Sequence, residues 1–259
     1  MSDASVFKQL ADICASLHVS LNESEIAAWA LARGEDEERL SSLFSFLSLA
    51  KAKQDSNAVS TLLRLSRIPQ RGPMLFKDFD ISNLSRSQAE HIRALATLSF
   101  IDAKRNIIMV GPPGTGKTHL AQAIGNECCR RKLKTYFIKM GELKDKFSQA
   151  LRLGTSGRML EGFTKYSCFI IDEVGYCHLN TEESRLFFQL VDRIDAKQYG
   201  SLVLTSNKEL PEWKAHFEDL DALECTLDRL CDNAYCITFS GNSYRGKRKE
   251  EIKLDFGDK

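Results

Sequence analysis

Apolar positions along this chain change their rhythm once, near residue 80. Before that point they recur at the spacing of amphipathic helices, and no run alternates as a half-buried strand does. The pattern predicts a first helix at about Ala4–Leu17 and a second at about Ser24–Arg33, with Ser24 as its N-cap. A third covers Glu37–Lys53, with Leu40, Leu43, Phe44, Leu47 and Ala50 at helical spacing. A short fourth, Val59–Leu65, runs into Ile68-Pro-Gln-Arg-Gly-Pro73, whose prolines and glycine mark a linker or crossing loop. From Arg105 onward, short β-branched runs alternate with longer amphipathic segments. Ile107–Val110, Thr135–Ile138, Cys168–Ile171, Leu202–Thr205 and Tyr235–Phe239 read as strands. Lys117–Arg131, Glu142–Leu153, Thr181–Gln198 and Ala222–Leu230 read as the helices between them. Strands apolar on both faces and separated by helices predict an α/β fold, with a parallel five-stranded sheet sandwiched by helices. The expected organisation is a small helical N-terminal domain (1–75) for partner binding, DNA binding or oligomerisation, a core (76–246), and a basic-acidic tail (247–259).

Composition narrows this only a little. With 43% hydrophobic and 27% charged residues over 259 positions, the chain can bury a sizeable core. A net charge of +1 means that any attraction to phosphate must come from local basic patches. Met1–Leu21 carries Asp3 and Asp12 and lacks an apolar run, and no stretch reaches membrane-spanning length. The eight cysteines show no zinc spacing, so buried thiols of a cytoplasmic protein are expected.

Chemistry enters at Gly111-Pro-Pro-Gly-Thr-Gly-Lys-Thr118, which matches G-x-x-x-x-G-K-[ST] between a predicted strand and a predicted helix. Gly111, Pro112, Pro113, Gly114, Thr115 and Gly116 form a loop whose backbone N–H groups wrap phosphates, where side chains would not fit. Lys117 is placed to reach the β- and γ-phosphates, and the Thr118 hydroxyl to complete a Mg²⁺ shell. His119, one position on, reads as packing beside the nucleotide rather than acting on it. The strand Cys168-Phe-Ile-Ile-Asp-Glu173 ends in two carboxylates: Asp172 for the metal through its water shell, Glu173 to polarise the attacking water. Solvated acids at an ordinary strand end are the bland alternative. Asn207, closing Leu202-Val-Leu-Thr-Ser-Asn207, either senses the γ-phosphate and orients water or simply caps a turn. Two arginines, Arg229 near a helix end and Arg245 after the last strand, are the best-placed cations for a neighbour's phosphate; an arginine at a helix end also suits the dipole. Trp213, Phe187 and Phe188 read as core.

Taken in order, residues 111–121, 170–176, 204–208 with Trp213, 228–230 (Asp-Arg-Leu) and 241–245 (Gly-Asn-Ser-Tyr-Arg) resemble the IstB-like transposition helper ATPases. These belong to the AAA+ P-loop class and are related to the helicase loader DnaC and the initiator DnaA. The resemblance covers about residues 76–246, beginning at Phe76-Lys-Asp-Phe-Asp80. It implies an ATPase using ATP and Mg²⁺ that binds DNA as an ATP-dependent homo-oligomer and hands a target site to a transposase. Arg229 then corresponds to a finger completing a neighbour's site in trans, and Arg245 to a sensor contacting nucleotide. The first 50 or so residues do not clearly match the helical arm usual in this family, and Glu35–Glu38 makes them locally acidic, which leaves the partner open.

Basic residues cluster at Lys51–Arg71, Lys139–Arg158 and Arg245–Lys249. Because initiator relatives use the region after the second strand for nucleic acid, Lys144, Lys146 and Arg152 are the expected contacts with duplex DNA. A solvated face is the alternative for each patch. The competing functions are a DnaC-like loader acting on a replicative helicase, an ATP-gated scaffold with negligible turnover, and a small-molecule P-loop kinase. Nothing resembling an acceptor lid supports the last.

Overall fold

The computed structural model describes residues 5–70, 72–82, 84–197 and 199–240. Two compact units divide between Thr61 and Leu62, inside a helix and ahead of the residue-75 boundary expected from the Pro/Gly segment.

In the first unit, α1 (Val6–Ser16) and α2 (Glu23–Arg33) lead into α3 (Glu37–Leu65). Asn22, not Ser24, caps α2. Its side chain accepts from Glu25 N–H at 3.0 Å while the Glu25 carboxylate accepts from Asn22 N–H at 2.8 Å, a reciprocal box that a cap at Ser24 would forfeit. Leu10, Ile26, Ala30 and Leu40 make a small core with Phe44 and Leu47 against it. The two helices expected over 37–65 are one helix of 29 residues. Gln54–Asn57 is polar but holds neither proline nor glycine, and the Lys51–Asp55 ion pair (3.0 Å) bridges one turn there.

The second unit carries the sheet. β1 (Asn106–Val110), β2 (Thr135–Lys139), β3 (Cys168–Val174), β4 (Ser201–Ser206) and β5 (Ala234–Thr238) lie in the order β2-β3-β4-β1-β5, all pairs parallel. This is the five-stranded α/β sandwich that the alternation predicted. Strand side chains sort by the period of two. Ile108, Ile138, Ile171 and Leu204 face one core, with Phe147 of α7 (Met140–Arg152), Leu160 of α8 (Ser156–Phe163), Leu190 of α9 (Thr181–Asp195) and Leu230 of α10 (Leu220–Asp232). Ile107, Phe137, Ile170 and Val203 face the other, with Ile92 of α4 (Arg86–Ala96), Phe100 of α5 (Ser99–Asp102) and Ile124 of α6 (Lys117–Arg130). The pattern had not assigned α4, α5 and α8. α8 contains two glycines, Gly157 and Gly162, which are poor helix formers, yet buried Leu160 and Phe163 anchor it.

Candidate functional site

Three C-terminal strand ends meet at the phosphate loop. β1 delivers Gly111, β3 delivers Asp172 and Glu173, and β4, paired to both, delivers Thr205 and Ser206 with Asn207 just beyond. Gly111 adopts φ +138, and a Cβ there would lie 2.2 Å from the Phe239 carbonyl oxygen, so only glycine lets the chain after β5 pass so close. Gly116, at φ +106, begins α6 with no side-chain cap. The uncapped N–H groups of the first turn and the helix dipole make this end a ready anion site. Thr115 ties the loop by donating to Pro112 O at 2.8 Å. Lys117, almost fully buried, donates from Nζ to Gly111 O (2.6 Å) and Pro112 O (2.7 Å). Its ammonium is thus folded back on the loop's own carbonyls.

Asp172 is wholly buried. Its Oδ1 accepts from Thr118 Oγ1 at 2.9 Å and Thr205 Oγ1 at 2.5 Å, while Oδ2 is buried with no hydrogen-bond partner. Burial pushes this carboxyl above the ordinary aspartate range, against the lowering effect of the Thr205 and Thr118 hydrogen bonds. An orphaned carboxylate oxygen beside a P-loop threonine fits a hard divalent cation that takes oxygen ligands and retains waters. Among the described residues no three His, Cys, Asp or Glu side chains group as a metal cage, so phosphate and water oxygens would have to complete the shell.

Glu173 occupies φ +64, sparsely populated for a residue with a side chain, where β3 slips register against β4 between Ile171 and Val174. Its N–H donates to Thr205 Oγ1 at 3.0 Å. Thr205 therefore joins the two acids: it accepts from the Glu173 backbone and donates to the Asp172 carboxylate. The Glu173 carboxylate is paired with Lys139 Nζ at 3.1 and 3.2 Å. Asn207 is exposed at the turn after β4. Trp213 does more than fill core: its indole N–H lies 3.2 Å from Ser206 Oγ and 3.3 Å from Lys208 O, pinning the turn that presents Asn207. His119 packs edge-on to Phe79 at 5.3 Å, with Nε2 3.1 Å from Leu75 O.

The remaining expected residues lie apart from this cluster or beyond the described chain. Arg229 sits on α10, paired with Asp192 of α9 at 3.0 Å and over the Phe188 ring at 4.9 Å. Arg245 lies outside the described residues, as do Arg71 and the tail Arg245–Lys249; Ser240 is the last described position. On α7, Lys144 donates to His178 O at 2.7 Å, Lys146 is half-buried and Arg152 is exposed in the last turn. Arg67, counted in a basic cluster, is spent on Glu142 (3.0 Å) and the Tyr136 hydroxyl (3.1 Å). Sequence reasoning missed Thr205, Lys139 and the pinning role of Trp213. A threonine at the end of an otherwise apolar strand was the one available signal, whereas the Lys139–Glu173 pairing needs the β2–β3 register.

The sequence profile of the IstB-like ATP binding proteins matches residues 20–252. The chain belongs to that family. It is 36% identical over 207 residues to a protein described as ATP-binding in insertion sequence IS5376 of Geobacillus stearothermophilus, covering 80% of this chain and 81% of that one. A counterpart in insertion sequence IS232 of Bacillus thuringiensis subsp. berliner is 32% identical, covering 75% and 76%. Among solved structures, AMPPCP-bound DnaA from Aquifex aeolicus superposes with a TM-score of 0.54 at 17% identity, covering 67% of this chain and 51% of that one. The DnaC helicase loader gives 0.54 at 16% identity, covering 64% and 97%. At such identities the likeness establishes the AAA+ P-loop fold. The chain spans about half of that DnaA. Among the described residues of this IstB-family chain, no helix is long and apolar enough to cross a membrane.

Proposed function

We propose that this protein hydrolyses ATP in a homo-oligomer assembled on duplex DNA and that it assists a transposase in target selection and strand transfer in the cytoplasm. One observation carries the ATPase part: the partnerless Asp172 Oδ2, buried beside Thr118 at the base of a glycine loop. Relatives named for insertion sequences support the transposition part.

In this reading Lys117 exchanges the Gly111 and Pro112 carbonyls for β- and γ-phosphate oxygens, and the loop amides take the rest of the phosphate charge. Thr118 and Asp172 would hold Mg²⁺, which would supply charge neutralisation to the phosphates. Glu173 releases Lys139, orients a water towards the γ-phosphorus and takes its proton as the bond to the ADP oxygen breaks. Asn207 fixes that water from the Trp213-pinned turn. Arg229 arrives from a neighbouring subunit, Arg245 contacts nucleotide, and Lys144, Lys146 and Arg152 meet DNA phosphates, which give affinity but no sequence reading.

The test is ATP hydrolysis with and without duplex DNA, alongside assembly size, for the wild type, Glu173→Gln and Arg229→Ala. DNA should stimulate the wild type. Glu173→Gln should still assemble on DNA with ATP yet turn over at least about 100-fold more slowly, and Arg229→Ala should lose turnover while still binding nucleotide. If duplex DNA neither binds nor alters turnover or assembly, the transposition reading fails, and a helicase loader acting with single-stranded DNA becomes the reading to test.

A further inference from the structure

Arg229 is not a loose surface cation. Its guanidinium pairs through Nε with Asp192 Oδ1 at 3.0 Å, lies 4.9 Å from the centre of the Phe188 ring, and donates from Nη1 to Cys225 O at 3.3 Å. Two of these contacts come from α9 and one from its own helix α10. Phe188 and Asp192 are one helical turn apart, so they share a face of α9 and grip the side chain together. Both charged partners remain accessible, with side-chain exposures of 36% for Arg229 and 47% for Asp192. A charge pair meant only for stability gains little at such exposure. A pair meant to aim a cation gains something else, because a free arginine has many rotamers to lose before it meets a phosphate. The planar group has five donors in a fixed fork, so it can keep Asp192 on one edge while donating outward from another.

We infer that Asp192, backed by Phe188, is a positioning residue that holds Arg229 ready for the γ-phosphate of a second copy of this chain. The surface formed by α9 and α10 around Phe188, Asp192 and Arg229 then faces the nucleotide side of its neighbour. This rests on the proposed trans role of Arg229. The Phe188 ring, 4.9 Å from the guanidinium carbon, backs the group on one side, and the Asp192 carboxylate holds its Nε edge. The stabilising charge is therefore set before phosphate charge develops.

The experiment uses the full-length protein with ATP and duplex DNA. Asp192→Ala should lower kcat about 10- to 100-fold, the scale of a misplaced catalytic group, with the KM for ATP, the DNA-bound assembly size and the melting temperature near wild type. Asp192→Glu should recover part of the loss, and Asp195→Ala, an exposed acid on the same helix, should leave kcat unchanged. Mixed oligomers supply the decisive readout. Glu173→Gln subunits carry an intact Arg229, so mixing them with Arg229→Ala subunits should restore turnover, and mixing them with Asp192→Ala should restore it likewise. Wild-type kcat in Asp192→Ala while the Arg229→Ala mixture recovers would overturn the role of Asp192 alone. A loss in Asp192→Ala that mixing does not repair would overturn it too, by placing the defect within its own site. If the Arg229→Ala mixture does not recover, Arg229 does not act in trans and both readings fall.

Discussion

Asp172→Asn should make the nucleotide-free protein more stable and its Mg²⁺-nucleotide complex less so. Asp172 is fully buried and accepts from Thr118 and Thr205 through Oδ1 alone, leaving Oδ2 without a partner. An unsatisfied buried polar atom costs about 1–3 kcal/mol, more when charged. Asparagine keeps the Oδ1 acceptor and the shape, and replaces an ionised oxygen with a neutral amide whose unpaired N–H groups still cost something. The net gain is then about 1–2 kcal/mol, or about 2–8 °C in melting temperature for a folded unit of this size. Melts should be run in chelator at neutral pH, then with Mg²⁺ and a non-hydrolysable ATP analogue. At one hundred times its Kd, a ligand adds about 2.7 kcal/mol to the wild type, and the variant should lose most of that gain. The pH dependence has a definite sign. Burial raises the folded-state pKa of Asp172, so the folded chain holds this proton more tightly than the unfolded chain. Stability due to this group therefore falls as pH rises from about 3.9 through the raised value. The variant's advantage should be absent in acid and grow as pH rises through the raised value. A variant that melts at or below wild type in chelator at pH 7 would refute the account of Asp172 as a strained, metal-ready carboxylate.

Two other outcomes follow from the same geometry. Gly111→Ala should cost about 2–4 kcal/mol and abolish ATP binding, because its Cβ would fall 2.2 Å from the backbone oxygen of Phe239; thermal melts and a nucleotide titration check this, and near-wild-type values would show that the chain after β5 yields easily. Lys139→Ala removes an exposed ion pair worth about 0–1 kcal/mol and should leave the melting temperature nearly unchanged. It should also raise DNA-free turnover by releasing Glu173, whereas a fall would mean that Lys139 assists catalysis.

Strands β1 to β4 and helix α6 were legible because each is a buried run or follows a glycine loop that leaves one arrangement open. The positions of the glycine loop, Asp172 and Glu173 were legible for the same reason: the chemistry proposed for them requires fixed residue types within a few positions of a strand end. What escaped depends on contacts between distant segments. The continuity of α3 across Gln54–Asn57 rests on an ion pair and the lack of a breaker rather than on apolar period. Likewise α8 is helical despite two glycines because the sheet face beneath it accepts Leu160 and Phe163. Lys139 meets Glu173 through the register of β2 on β3, and Asp192 meets Arg229 through the packing of α9 on α10. Neither pairing leaves a local signature.

Thr205 shows how much one such contact can couple. Its hydroxyl bridges the backbone N–H of Glu173 and the carboxylate of Asp172, since it accepts from one and donates to the other. A cation taken up at Oδ2 would draw charge from the acid that Thr205 holds, and so weaken or turn that hydroxyl's donation. The strained φ +64 of Glu173 is stabilised in part by its own bond to the same hydroxyl. In the proposed mechanism a metal at Asp172 would thus act on the backbone conformation of Glu173, the residue proposed to handle water. Lys139 restrains the other end of that residue, so the metal and a change at β2 act on Glu173 through separate handles.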